Sequence, residues 1–306
     1  MKRVSKLVMA LSLIMVLCFG SQALAAKHTV YLITMDQMDM HWLAVDQGCK
    51  DAVKEIDGIE YRWDAPLDGK NDMAQMECIN NAAANGADLI LLASNGPDTQ
   101  VATIKEAAGK GVKFIYIDSP ANFPAYQTLA TDNKAAGKTA GLELLKELKA
   151  RNITSGKIGV VSVNPATMST VQRDNGFRSA FDGTAFELLE TQFGEGQVAL
   201  SQNVATNIIT QGAVAIFGAN EGSATGVGNA IAENRSGVIG VGFDSSDAIL
   251  QHIKEGNLIC TMAQNGHVMG YEGMKSAALV LSGGTPEPKF FDTGATVINK
   301  GNVDKF

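Results

Sequence analysis

The stretch from His28 to Val45, HTVYLITMDQMDMHWLAV, runs from an apolar strand directly into a loop carrying Asp36, Gln37, Asp39, His41 and Trp42. A core strand that only has to turn is followed by Gly, Pro, Asn or Ser, so aromatic and charged side chains at its end mark a binding lip. In open α/β sheets, ligands lie outside the carboxyl ends of the strands. Such a lip calls for a second one facing it, and the rest of the chain has to supply it.

Outward from this stretch, Trp42 to Ile56 places Leu43, Val45, Cys49, Val53 and Ile56 at helical spacing and stops at Asp57-Gly58, which completes one βα unit. The pattern recurs as strand 59–63, helix 72–85, strand 88–93, helix 98–109 and strand 112–117. A second series follows: helix 133–150, strand 157–163, helix 166–181, strand 187–193, helix 198–210, strand 213–219, helix 221–233, strand 238–243, helix 246–254 and strand 258–263. Short apolar strands alternating with helices predict parallel sheets covered on both faces. The fold class is therefore α/β, with two doubly wound parallel-sheet lobes.

One amphipathic helix, 266–281, and one extended piece, 289–298, remain. They are expected to return to the first lobe, so that the chain crosses between lobes near Thr131, Gln264 and Thr293 and makes a three-segment hinge. The expected division is 27–131 plus 265–292 for the N-terminal lobe and 132–264 plus 293–306 for the C-terminal lobe. Residues 1–26 stand apart. Lys2, Arg3 and Lys6 precede an apolar run from Leu7 to Phe19, and Ala23-Leu24-Ala25 offers small residues for cleavage, the pattern of a secretory signal peptide rather than a membrane span.

Cleavage after Ala25 or Ala26 leaves 22 basic side chains against 32 acidic ones, a net charge of −10. This balance excludes nucleic acid as a partner. Cys49, Cys78 and Cys260 remain, an odd number without CxxC spacing, so no disulfide framework or zinc site is expected. Cys49 and Cys78 fall on successive helices, which reversal of strand direction sends to opposite sheet faces.

Strand ends supply the chemistry. Asp118 and Ser119 follow the fourth strand, Asn220 follows AVAIFGA, Asp244 follows VIGVGF and Gln264 follows ICTMA, while Arg173 sits on the helix after Asn164-Pro165. Carboxylates, a planar guanidinium and amides present paired donors and acceptors that match vicinal hydroxyls. Trp42 and Phe193 offer flat apolar faces for the C–H surface of a sugar ring. Asp36, Gln37, His41 and Ser119 are further candidates from the same loops.

Tyr116-Ile117-Asp118, Thr131-Asp132-Asn133, Arg173 with Gly176-Phe177, Phe217-Gly218-Ala219-Asn220, Val241-Gly242-Phe243-Asp244 and Ala263-Gln264, together with the leader, are the pieces of a family pattern. Over its whole mature length the chain resembles the ribose and galactose type of periplasmic sugar-binding protein, the type I receptor of an ABC transporter. The resemblance implies a monomeric, non-enzymatic periplasmic receptor for a small sugar or polyol. Its partners would be a membrane permease and, in some family members, a chemoreceptor. Asp118, Arg173, Asn220, Asp244 and Gln264 would bond sugar hydroxyls, and Trp42 and Phe193 would stack on the ring, with no cofactor. Two places depart from ribose-type relatives. Asp39-Met40-His41-Trp42 stands where they tend to have Asn-Pro-aromatic-aromatic, and Ser119 stands where they often have Arg. Ser cannot replace a bidentate guanidinium, which argues against ribose itself and keeps the receptors of furanosyl autoinducers as a rival.

Other motifs are weaker. His41, Asp36 and Asp39 have metal-site composition but cluster on one loop without a fourth ligand, so no metal is expected. The segment 64–75 ends on Gln75 where a calcium loop needs Glu, and Gly137-Lys138-Thr139 lacks the first glycine of a phosphate loop, Asp132 standing there. A secreted glycosidase using Asp118 and Asp244 is the competing enzyme class. A sugar-responsive transcription regulator would need a DNA-binding domain where this chain has its leader.

Overall fold

The computed structural model describes residues 28–67, 71–235 and 237–306; the expected leader lies outside the described residues. The first sheet has the strand order β12-β5-β4-β3-β1-β2 and all of its pairs are parallel. Its strands are β1 (His28–Ile33), β2 (Ile59–Asp64), β3 (Leu89–Leu92), β4 (Lys113–Ile117), β5 (Thr128–Ala130) and β12 (Phe290–Asp292). The second sheet runs β13-β11-β10-β9-β6-β7. It comprises β6 (Gly156–Ser162), β7 (Phe186–Leu188), β9 (Ala213–Gly218), β10 (Ile239–Phe243), β11 (Leu258–Gln264) and β13 (Ala295–Asn299), with β8 (Gln192–Phe193) also pairing β6. Only β13 is antiparallel, lying along β11.

Both sheets reverse their winding at equivalent places, between β1 and β3 and between β6 and β9. At such a switch point the loops part and leave a crevice. The long apolar runs explain the burial of the strands: Leu89–Leu92 is buried at every position, as is Ile239–Phe243. Helices α1 (Met40–Val53) and α9 (Gly266–Leu281) cover one face of the first sheet, and α2 (Asp72–Ala84) and α3 (Val101–Gly109) the other. In the second lobe α4 (Asn133–Ala150) and α5 (Met168–Ser179) lie on one face, opposite α6 (Val198–Thr210), α7 (Glu221–Asn234) and α8 (Asp247–Glu255). Cys49 and Cys78 belong to opposite faces of the first sheet, and both are buried free thiols, as is Cys260.

Close helix contacts fix how the site-bearing helices sit. A Cβ added at Gly137 on α4 would collide with the Arg173 carbonyl on α5, and one added at Gly176 on α5 with the Lys134 carbonyl on α4. The two backbones therefore touch, and Arg173 is held at that crossing. In the first lobe, Gly48 and Gly270 bring α1 and α9 together in the same way.

Three elements differ from the sequence expectation. Thr128–Ala130 is a strand of only three residues, too short to show periodicity beside the Pro-containing loop that precedes it. The expected strand 187–193 is two short pieces, β7 and β8, each lying along a different stretch of β6. The extended piece 289–298 likewise divides: β12 joins the first sheet and β13 the second.

Candidate ligand site between the lobes

The switch points of the two sheets face each other, and a cavity lies between them. Met35, Asp39, His41, Trp42 and Asp118 line it from the first sheet's side. Val163, Thr167, Ser169, Thr170, Arg173, Asn220, Asp244 and Gln264 line it from the second. Asp118 and Asp244 stand one residue beyond β4 and β10, and both adopt left-handed backbone geometry, φ 60° and 70°. Asp tolerates that region better than most residues, and the turn there aims each carboxylate off the end of its sheet.

Arg173 is the centre of the arrangement and is only 2% exposed. Its Nε donates to Asn133 Oδ1 at 2.8 Å and its Nη1 to the Ala219 carbonyl at 3.1 Å. The guanidinium carbon lies 3.8 Å from the centroid of the Phe243 ring. The second lobe thus holds the arginine on three sides, leaving Nη2 to reach across to Asp118 Oδ1 at 3.4 Å. Asp244 Oδ2 is farther, 4.0 Å from Nη1. Asp244 instead accepts from Gln264 Nε2 at 2.6 Å, and Gln264 Oε1 accepts in turn from Thr131 Oγ1 at 2.9 Å.

His41 Nε2 lies 3.5 Å from Asp118 Oδ1, and its ring meets the Trp42 ring edge-on at 4.6 Å. Burial alone would lower the His41 pKa, but the Asp118 contact and the Asp118 and Asp244 charges outweigh burial and Arg173 and raise it. Burial alone would raise Asp118; His41, Arg173 and Ser169 outweigh it and hold the carboxyl below its ordinary value. Asp118 is therefore held as a carboxylate between the Arg173 guanidinium and the His41 ring. Asn220 caps α7 by accepting from Ser223 N–H at 3.1 Å, and its Nδ2 is buried without a partner, as is Trp42 Nε1. A buried donor without an acceptor is destabilising unless something arrives to bond it.

Of the residues singled out in the sequence, Trp42, Asp118, Arg173, Asn220, Asp244, Gln264 and His41 are brought to this cavity. Four are not. Phe193 is 42% exposed on β8, because the break between β7 and β8 turns it to the surface. Asp36 turns inward, its Oδ1 accepting from the Met38 and Asp39 N–H groups at 2.9 Å each, which shapes the loop. Gln37 is exposed on the same loop, and Ser119 is wholly buried behind Asp118. Trp42, besides lining the cavity, packs into the first lobe's core with Val30, Leu32 and Met269. Thr167, Ser169 and Thr170 were missed because hydroxyls at a helix start read as caps. Asn133, which orients Arg173, lay in plain view in Thr131-Asp132-Asn133.

Among the described residues no group of three His, Cys, Asp or Glu could hold a metal. Residues 30–285 match the model of the periplasmic binding protein domain. The chain is 23% identical to the D-ribose/D-allose-binding protein of Pseudomonas aeruginosa, covering 94% of this chain and 95% of that one. It is 26% identical to the ribose import binding protein of Haemophilus influenzae, over 88% and 91%. Among solved structures, it resembles a carbohydrate transporter solute-binding protein from Agrobacterium radiobacter in complex with D-arabinose, at a TM-score of 0.85 and 29% identity, covering 92% and 96%. An ABC transporter solute-binding protein from Agrobacterium vitis with bound D-fucose gives 0.85 and 28%, over 90% and 97%. With two lobes of this topology and a match spanning most of its length, the chain belongs to the periplasmic binding protein family.

Proposed function

We propose that the protein is a periplasmic receptor that closes its two lobes around one small sugar or polyol and delivers it to the permease of an ABC transporter. Arg173 carries this reading: anchored in one lobe, it meets an aspartate of the other inside a cavity of carboxylates and amides. Ligand hydroxyls would bridge Asp118, Arg173, Asn220, Asp244 and Gln264, and the Trp42 indole would cover the ring's apolar face. Only the closed form offers both halves of the site at once, so binding energy shifts the lobes towards closure. The permease would recognise the closed form, and a chemoreceptor could read the same form. Export by the N-terminal leader and a monomeric state complete the reading.

Both carboxylates are occupied by cations or amides rather than placed around a scissile bond, which suits hydroxyl recognition better than glycoside hydrolysis. Calorimetry with D-arabinose, D-fucose, D-tagatose, D-allose and D-ribose tests the proposal. One sugar bound with micromolar or tighter affinity supports it. No heat from any of them, with binding of a furanosyl autoinducer instead, would replace the sugar by that ligand.

A further inference from the structure

A carboxyl group beside the cavity, but not among the side chains that line it, spans the two lobes. Glu221 is the first residue of α7 in the second lobe. The backbone N–H groups of Met40 and His41, which open α1 in the first lobe, face its carboxyl. Its Oε2 is closed off from solvent and has no hydrogen-bond partner. Its own helix does not require it, since Asn220 already caps α7. The first turn of α1, by contrast, contains no acidic residue of its own. The first amides of a helix lack intrahelical partners, and a carboxyl group facing them supplies acceptors. Glu221 can do so for α1 only while the lobes are together.

The charges around it shape the form it takes. Asp39 stands at the N-cap of α1 and Asp244 beyond β10, and both charges act on Glu221, while the Arg173 guanidinium and the His41 ring are directed at Asp118. We infer that Glu221 is an interlobe latch: as the lobes close it docks as a neutral acid on the N-terminus of α1, so that closing over a ligand takes up a proton at this side chain. Protonation turns the unpartnered Oε2 into a donor for the neighbouring carboxylates. Burial, then Asp39 and Asp244, push the group up to about 8, against the pull of the two amides. When the lobes part and water reaches it, it returns to the ordinary Glu range of about 4.3. The closed form therefore holds the extra proton between those limits. Affinity is highest at the acid end and falls by at most about tenfold per pH unit until about pH 8, where it levels. His41 is raised in the closed form and acts with the same sign, so the comparison of variant with wild type isolates Glu221.

The inference rests on the receptor reading only for the sugar used to test it. The best-bound sugar of the five above is titrated near pH 7 into wild type and Glu221→Gln in two buffers of different ionisation heat. The wild type should take up protons, and the variant fewer by about half a proton or more. Its affinity should also change less between pH 6 and pH 8. Equal proton uptake by the two proteins overturns the latch while leaving the receptor intact. If no sugar binds, the receptor reading fails and the latch is judged on sugar-free protein by small-angle scattering. The radius of gyration should rise from pH 6 to pH 8 more in wild type than in Glu221→Gln, which keeps only the His41 response; the same pH response in both overturns it. Glu221→Ala, which removes the acceptor as well as the proton, should weaken sugar binding at both pH values, whereas Glu221→Gln should not at pH 6.

Discussion

Asp118 and Asp244 occupy the same station in their lobes, one residue past a central strand in left-handed geometry, yet they are held in opposite ways. Asp118 in the first lobe has the second lobe's Arg173 as a partner. Asp244 is satisfied within the second lobe, by Gln264, and its carbonyl accepts from Thr261 Oγ1 at 2.7 Å. Asp118 can meet Arg173 only when the lobes are together, whereas Asp244 has its partner within one lobe. The same topology thus gives one aspartate a partner across the lobes and the other a partner beside it.

The largest effect that would test this difference is Arg173→Ala. It leaves Asp118 buried without its cross-lobe cation, a change of about 3–5 kcal/mol for a buried pair, so sugar binding should weaken by at least about a hundredfold. With Asn133, the Ala219 carbonyl and the Phe243 ring all on the arginine, the second lobe of this variant should also melt earlier than in wild type. Arg173→Lys should rescue neither property, since an ammonium lacks the planar fork.

Next in size is the paired test Asp118→Asn against Asp244→Asn, because Asn accepts the left-handed turn and isolates the charge. Asp118→Asn leaves Arg173 and His41 facing a neutral group and should reduce affinity about 30-fold or more, whereas Asp244→Asn keeps an oxygen for Gln264 and should lose about tenfold or less. Equal losses in calorimetry would break the distinction. Acid should act on the same group: the stabilisation from Asp118's lowered pKa is present above its unfolded value of about 3.9 and is lost as pH falls through the lower folded one. The Asp118→Asn protein should lose less melting temperature between pH 5 and pH 3 than wild type. The smallest effect belongs to Phe193→Ala. With its ring on the surface of β8, affinity should change by less than about twofold, and a tenfold loss would return Phe193 to the site.

The βα alternation made both lobes readable because long apolar strands and amphipathic helices carry their period within a short window. Strand ends then pointed to Asp118, Asn220, Asp244 and Gln264, since topology alone puts them at the crevice. Phe193 shows where this fails. A strand interrupted after Leu188 changes the side on which later residues emerge, and no local pattern marks the break. Asp36 and Gln37 show a second limit, because in an irregular loop neighbouring residues point anywhere. Glu221 was legible only as a helix start; its reach to α1 depends on how one lobe approaches the other, which no stretch of sequence encodes by itself.

The three passages between the sheets are tied to one another as well as to the lobes. Asp132 N–H donates to Asp292 Oδ1 at 3.0 Å, Thr131 Oγ1 lies 3.3 Å from the Gly294 carbonyl, and Asn265 Nδ2 donates to the Thr293 carbonyl at 2.7 Å. Three independent tethers would let the lobes slide, tilt and twist. Cross-bonded, they would act as a single axle with one principal degree of freedom, so that closing strokes would follow nearly the same arc. The meeting of Arg173 and Asp118 would then be set largely by the fold, leaving each binding event only to swing the lobes shut.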